Sequence, residues 1–356
     1  MRSSLSHFRI AGLTVTTGSV ERDFIADGLA AGFERAQLER VSAAVGLKKR
    51  LVAPPGVTAL DLCEDAARRL LSSLDVDASS IDAVIFVTQT PDHPQPNNAS
   101  LLHGRLGLSK SVLSYDLSHG CSGWVYGLHQ AALLCAHGGA ARVLLCAGDT
   151  LSRLTNPADR SVDPIFGDAG SATLVERTGR SEPWHFEFGT DGSAAGLISV
   201  PAGGARLPAS AGTRVEAADA AGHVRHSENI RMDGAGVMAF VLREVPPAIR
   251  SLIATAGWSR AEAVALHQAN RFVLSSVLRA AGIDAASAPV DLSERFGNQS
   301  SCSVPMVIAS SFAERIAIGP VRLLACGFGV GMSWAGAAGV IGPCVFPPVR
   351  PIAPHA

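Results

Sequence analysis

Ala141-Arg-Val-Leu-Leu-Cys-Ala-Gly148 recurs 180 positions later as Val321-Arg-Leu-Leu-Ala-Cys-Gly-Phe328, and this repetition decides the fold class. The offset is kept at other anchors. Ser79-Ser-Ile-Asp-Ala-Val-Ile85 matches Ser259-Arg-Ala-Glu-Ala-Val-Ala265, and the turn at Cys121 matches Ser301-Cys-Ser303. A weaker match, Arg105-Leu-Gly-Leu108 with Ala280-Ala-Gly-Ile283, needs an offset near 175 and implies compensating loop insertions. Two similar halves are the economical account of a repeat kept over such distances.

Within a half the pattern reads strand, helix, short apolar strand, helix, strand. In the first half these are Val84 to Thr88, a helix around Asn98 to Leu106, Val112 to Leu117, a helix from about Ser122, and Val143 to Cys146. The apolar runs lack alternation, as expected of central strands covered on both faces by helices. Two such α/β halves packed together predict a five-layered α-β-α-β-α sandwich. The expected division is 1–188 for the N-terminal half, 189–227 for a linker and long loop rich in Gly, Ala and Pro, 228–345 for the C-terminal half and 346–356 for a tail. A loop as long as 189–227 is expected to cover a site.

Composition excludes several function classes. The chain has 356 residues, 47% of them hydrophobic, and 30 basic against 31 acidic residues give a net charge of -1. No basic cluster exceeds Lys48-Lys49-Arg50, so capture of nucleic acid is unsupported. The first twelve residues hold no apolar run of secretory length, and no stretch reads as the roughly 18 apolar residues of a bilayer span, so a cytoplasmic protein is expected. Seven dispersed cysteines without a CxxC pair argue against a disulfide framework and a zinc site, and His223 and His226 are close without a ligand cluster around them. No metal is expected.

Reactive residue types fall at the carboxyl ends of the expected strands, where open α/β sheets put their chemistry. Cys121 follows one strand and precedes Trp124, Val125, Leu128, Ala131, Ala132 and Cys135 at helical spacing. It would therefore lie at a helix N-terminus, where unpaired N–H groups lower a thiol pKa. His267 closes the run Ala263 to Leu266, and Asn298 lies in Phe296-Gly-Asn-Gln-Ser-Ser301, the turn corresponding to that of Cys121. Singly these read as a small buried hydrophobe, a structural histidine and a turn asparagine. At matched positions they form a Cys–His–Asn set able to hold an activated thiol among hydrogen-bonding groups.

The ordered stretches Gly120-Cys-Ser-Gly123, Asn156-Pro-Ala-Asp-Arg160, Ile165-Phe-Gly-Asp-Ala-Gly-Ser171, His267-Gln-Ala-Asn270, Gly297-Asn-Gln-Ser300 with Val304-Pro305, and Gly327-Phe-Gly-Val-Gly-Met-Ser-Trp334 give a resemblance over nearly the whole chain. The sequence is similar to the β-ketoacyl-acyl-carrier-protein synthase III family of thiolase-fold condensing enzymes. The resemblance implies a thiolase-like sandwich assembled as a homodimer, an acyltransferase with no bound cofactor, and acyl-CoA with malonyl-ACP or malonyl-CoA as substrates. It carries catalysis onto Cys121, His267 and Asn298, an oxyanion hole onto the N–H groups of Cys121 and Val330, substrate contacts onto Arg160, Asn270, Gln95 and Phe328, and docking of an acyl carrier protein onto Arg271 and Arg279. The run Gly327 to Gly331 is spaced G-x-G-x-G, with no helix or ribose-binding acid following, and does not read as a dinucleotide loop.

Departures from the family pattern concentrate in substrate recognition. The segment expected to carry a tryptophan and an arginine reads Leu38-Glu-Arg-Val-Ser-Ala-Ala-Val-Gly-Leu47, without either at the matching places, leaving Arg160 as the candidate for an adenine or phosphate contact. The loop implied to reach across the dimer reads Pro91-Asp-His-Pro-Gln-Pro96, with Gln95 where an aromatic is usual. An acyl primer other than plain acetyl is expected. Three readings stay open: decarboxylative condensation, ester or amide formation from the same acyl-cysteine with His267 as general base, and a catalytically silent partner in a heterodimer.

Overall fold

The computed structural model describes residues 1–353, so the last three positions of the expected tail lie outside the described residues. Two sheets form the frame. The first has the order Arg350–Pro351, Phe8–Thr17, Ala169–Arg177, Arg142–Asp149, Ala83–Val87, Leu113–Leu117. The second has the order Arg2–Leu5, Trp184–Thr190, Ser333–Ile341, Val321–Gly329, Ala263–Leu266. The 180-residue repeat survives in the register: Ala83 pairs with Val143 in one parallel ladder and Ala263 with Leu323 in the other. It survives in the hydrogen bonds as well. The Asp82 carboxylate accepts from the N–H groups of Ala141 and Arg142, and the Glu262 carboxylate accepts from that of Arg322. In both halves an acid thus satisfies donors that the start of the strand leaves open.

Helix Ala59–Ser73 covers the outer face of the first sheet. Helix Gly123–Ala136 and the helical run 303–318 fill the space between the sheets, and Gly234–Thr255 with Arg271–Ala281 cover the outer face of the second. The result is the thiolase-like α-β-α-β-α sandwich. Local sequence fits each layer. The outer helix Ala59–Ser73 is closed by a reciprocal Thr58–Asp61 capping box and buries one face through Leu60, Cys63, Ala67 and Leu70. The central helix is apolar nearly all round because it meets a sheet on each side, and Trp124, Val125, Leu128, Ala131, Ala132 and Cys135 are all fully buried.

Four features differ from expectation. The sheets exchange strands between the halves: Arg2–Leu5 and Trp184–Thr190 belong to the second sheet, so a boundary at residue 188 falls inside a strand. Leu113–Leu117 is an edge strand, with Leu113 49% exposed, rather than one covered on both faces. The matching place in the second half is no strand but a turn and the short helix Ser293–Phe296. Finally, Ser300–Ile318 meets the length and apolarity of a bilayer span, contrary to expectation. It is the middle-layer helix, and Val304, Met306, Val307, Ile308 and Ile316 are buried between the sheets.

Candidate active site

The strand Leu113–Leu117 delivers Cys121 to the start of the central helix through a tight turn in which the Gly123 N–H donates to the Gly120 carbonyl at 2.6 Å. The glycine run 327–331 presses on this turn from the other half. A Cβ at Gly327 would stand 2.4 Å from the Cys121 carbonyl oxygen, one at Gly329 2.7 Å from Cys121 Sγ, and one at Gly120 2.3 Å from Val330 Cγ1. These glycines exist for close approach to the cysteine. Ser333, bonded to the Val330 carbonyl at 3.0 Å and to Ser122 Oγ at 2.9 Å, ties the two turns together.

Burial pushes the Cys121 thiol up to about 11, and the nearby Asp149 carboxylate adds to the shift. The Ser300 hydroxyl and the backbone groups of Val330 and Cys121 act the other way. The expected lowering by the helix start is therefore not the net result. With 9% of the residue exposed, desolvation of the charged sulfur outweighs the terminus.

His267 follows the Ala263–Leu266 strand, its backbone N–H donating to the Cys326 carbonyl at 2.9 Å. Its ring meets Phe328 edge-on at 5.5 Å, and Nδ1 is buried without a hydrogen-bond partner among the described residues. Burial lowers its pKa to about 4, against a smaller opposing effect of the Ser300 backbone, so the imidazole is neutral at pH 7. Asn298 is held by a parallel bridge to the 165–167 segment. Its N–H donates to Ile165 at 2.8 Å and its carbonyl accepts from Gly167 at 3.1 Å. Gly297 and Gly167 permit that contact, since a Cβ on either would strike backbone of the other loop. Asn298 Oδ1 accepts from the Ser300 N–H at 2.9 Å, and the Nδ2 donors take no partner among the described residues.

Cys121, His267 and Asn298 line one cavity of about 250 Å³, together with Asn270, Phe328, Gly329 and Val330. The rest of its wall is largely apolar and includes Leu151, Leu154, Ile165, Phe166, Ile230 and Met232. Ile198, Ser199 and Val200 from the long loop also contribute, so part of 189–227 does cover the site. Asn270 doubles as the N-cap of helix Arg271–Ala281, its Oδ1 accepting from the Val273 N–H at 2.9 Å.

The other expected contacts lie elsewhere. Arg160 lines a neighbouring surface cleft of about 600 Å³ with Arg22, Lys49 and Arg50, and its guanidinium lies 4.3 Å from the Phe33 ring centre. Phe33 thus supplies an aromatic that the 38–47 segment lacks. Its position five residues earlier hid it. Asp163 and Pro164 wall this cleft while Ile165 and Phe166 wall the cavity, so one segment separates the two. Gln95 is exposed and does not line the cavity of its own chain. Arg271 is bonded to Glu294 at 2.8 Å and to the Ala43 carbonyl, whereas Arg279 is exposed.

Three buried or half-buried polar residues escaped the sequence reading. Asp149, fully buried at a strand end, accepts from the Gln89 N–H at 2.7 Å and from the Ser301 hydroxyl at 2.7 Å, and so fastens the two halves beside Cys121. Gln89 and Ser300 bond each other at 2.8 Å. The available signal was the Gly297-Asn-Gln-Ser300 motif itself, whose serine had received no role.

A thiol, a neutral imidazole and an amide converging on an apolar cavity in a duplicated sandwich define a thiolase-fold acyl-transferring enzyme. Residues 115–192 match the family described as 3-oxoacyl-[acyl-carrier-protein] synthase III, and 254–340 match its C-terminal domain. Beta-ketoacyl-[acyl-carrier-protein] synthase III 3 of Streptomyces coelicolor is 34% identical, the match covering 87% of this chain and 90% of that protein. The crystal structure of 3-oxoacyl-(acyl-carrier protein) synthase from Burkholderia xenovorans superposes with a TM-score of 0.92 at 34% identity, over 99% of each chain. The priming β-ketosynthase of the R1128 polyketide pathway gives 0.80 at 26% identity, over 95% of this chain and 97% of that one. The chain belongs to the 3-oxoacyl-[acyl-carrier-protein] synthase III family, and is an acyltransferase.

Proposed function

We propose that the protein loads an acyl group from acyl-CoA onto Cys121 and condenses it decarboxylatively with a malonyl thioester, carried by an acyl carrier protein or coenzyme A. Cys121 attacks the thioester carbonyl, the N–H groups of Cys121 and Val330 hold the oxyanion, and the leaving thiolate departs with a proton. The malonyl thioester then loses carbon dioxide while His267 and the Asn298 amide donate hydrogen bonds to its carbonyl, and the resulting carbanion attacks the acyl-cysteine. The observation that carries this reading is that Cys121, His267 and Asn298 line one cavity in which burial keeps His267 neutral. A neutral imidazole donates one N–H to a developing enolate. With a pKa near 4 it is a poor base toward an alcohol or amine, which disfavours ester or amide formation.

The apolar wall from Leu151 to Met232 supports a primer larger than acetyl. The cleft of Arg160 and Phe33 suits the phosphate-bearing, aromatic end of a coenzyme A thioester. Binding of a carrier protein falls to Arg279 rather than to Arg271, whose charge is engaged by Glu294. The cytoplasm is the compartment consistent with these substrates.

After exposure to acyl thioesters of graded length, wild type is expected to gain the mass of one acyl group and Cys121→Ala none. Equal adducts on both would remove the assignment.

A homodimer is part of the proposal. Among the described residues the Leu113–Leu117 edge has no partner on one side, and the Gln95 loop lies on the surface. Sedimentation analysis is expected to give twice the 36.8 kDa chain mass, and a monomer would count against it.

A further inference from the structure

Ser300 joins three groups beside the nucleophile. Its Oγ bonds Gln89 Nε2 at 2.8 Å and lies 4.0 Å from Cys121 Sγ, while its N–H is taken by Asn298 Oδ1 at 2.9 Å. The residue is fully buried and has φ +49, in the left-handed region that a residue with a Cβ seldom adopts. Such an outlier, overdetermined by its neighbours, is a reason to look for a role.

The direction of the hydroxyl follows from counting donors. Gln89 Nε2 can only donate, so Ser300 Oγ is the acceptor in that bond and its own proton points elsewhere. Two negative or potentially negative groups face it, Asp149 and Cys121; His267, the other titratable group nearby, is neutral. The Ser300 hydroxyl is the weakest of the hydrogen-bonding influences on Asp149, whose oxygens are already occupied. One of its oxygens accepts from Thr88 Oγ1 at 3.3 Å and the Gln89 N–H at 2.7 Å, the other from the Ser301 N–H at 3.2 Å and Ser301 Oγ at 2.7 Å. Ser300 is the largest of the influences that lower the Cys121 thiol but the smallest of those on Asp149, and the sulfur lies 4.0 Å from Ser300 Oγ, so the sulfur is the favoured acceptor of the Ser300 proton.

We propose that the Ser300 hydroxyl donates a hydrogen bond to the Cys121 sulfur during acyl transfer, as a further catalytic residue, and that Gln89 is the positioning residue that fixes its direction. This rests on the reading of Cys121 as the acyl-accepting nucleophile. In the acylation step the Cys121 S–H proton leaves, an S–C bond forms at the thioester carbonyl, the C–S bond to the leaving thiol breaks, and the departing thiolate takes up the proton. Ser300 keeps its O–H bond throughout. Its hydrogen bond stabilises the sulfur while that atom carries negative charge, which offsets part of the burial penalty.

The test is alkylation of Cys121 by iodoacetamide in brief pH jumps, followed by intact mass from pH 6 to 12 on the full chain without acyl substrate, so that a shifted pKa lowers the rate strongly at pH 8 and little at pH 12. In that reaction the thiolate displaces iodide. The wild-type rate rises with pH toward a plateau near the thiol pKa, pushed up to about 11. Ser300→Ala and Gln89→Met each move the profile to higher pH, lowering the rate at pH 8 by about tenfold, the equivalent of one pKa unit. Gln89→Glu moves it at least as far, because a carboxylate at that place accepts the Ser300 proton and turns it from the sulfur. Gln89→Met leaves Ser300 and its turn unaltered, so the prediction survives a folding failure of Ser300→Ala. Wild-type profiles in the Gln89 variants would overturn the proposal, and so would a loss of rate equal at every pH, the mark of a merely displaced cysteine. Failure of malonyl-dependent carbon dioxide release by wild type would instead remove the condensing reading and leave the alkylation result standing.

Discussion

Gly329→Ala lowers the rate of acyl-enzyme formation by at least about 10²-fold, the scale expected when a reacting atom is displaced by about an ångström. The added Cβ would lie 2.7 Å from Cys121 Sγ and 3.0 Å from Cys121 Cβ, closer than nonbonded heavy atoms approach. At φ +156 the backbone also disfavours any side chain, so neither partner can give way without moving the Cys121 turn or the Val330 N–H. Cys121 and the Val330 N–H proposed to hold the oxyanion would shift relative to each other. Time-resolved intact mass after addition of an acyl thioester measures the effect. A folded variant acylated at the wild-type rate would show that the glycine run is not required for this contact. Gly327→Ala is a useful contrast. Its Cβ meets the Cys121 carbonyl oxygen at 2.4 Å, so its damage falls on backbone packing and on the melting temperature as well.

His267→Ala lowers malonyl-dependent carbon dioxide release by about 10²–10³-fold, as for removal of one preorganised donor to a developing oxyanion, while acyl-enzyme formation stays within about tenfold of wild type. The separation arises because the Cys121 turn and its N–H groups need nothing from the imidazole and Gln89 still holds the Ser300 hydroxyl, whereas the proposed enolate loses one of its two side-chain donors. Equal losses in both steps would instead make His267 a base for Cys121. The pH dependence carries the same information. Burial depresses the His267 pKa from 6.5 to about 4, so wild-type carbon dioxide release has no inflection near 6.5 attributable to this group. The unfolded chain binds this proton more tightly than the folded one. The histidine's contribution to stability is therefore lowest below pH 4, grows as pH rises between 4 and 6.5, and is complete above 6.5. Replacement by alanine removes that dependence from the acid limb of a stability profile.

Much of the fold was legible because a duplicated sequence repeats its physical constraints. Apolar runs ending in Val87 and Leu266, followed by Thr88 and His267, mark strands whose carboxyl ends face one another, and the offset of 180 reappears in the register of both parallel ladders. The exchange of strands was not legible. Arg2–Leu5 joins the sheet of the opposite half by pairing with Trp184–Thr190, a partnership between residues about 180 apart that leaves no local pattern.

The order of residues by itself determined the sandwich and singled out Cys121, His267 and Asn298 as candidates, because the repeat and the ordered motifs mark them together although each alone reads as structural. Tertiary structure alone decided the charge states and the supporting contacts. The thiol is raised rather than lowered because burial is a sum over neighbours from both halves, and no window of sequence contains that sum. The pairing of Gln89 with Ser300, 211 residues apart, and the placing of Phe33 beneath Arg160 depend in the same way on which loops the two sheets bring together.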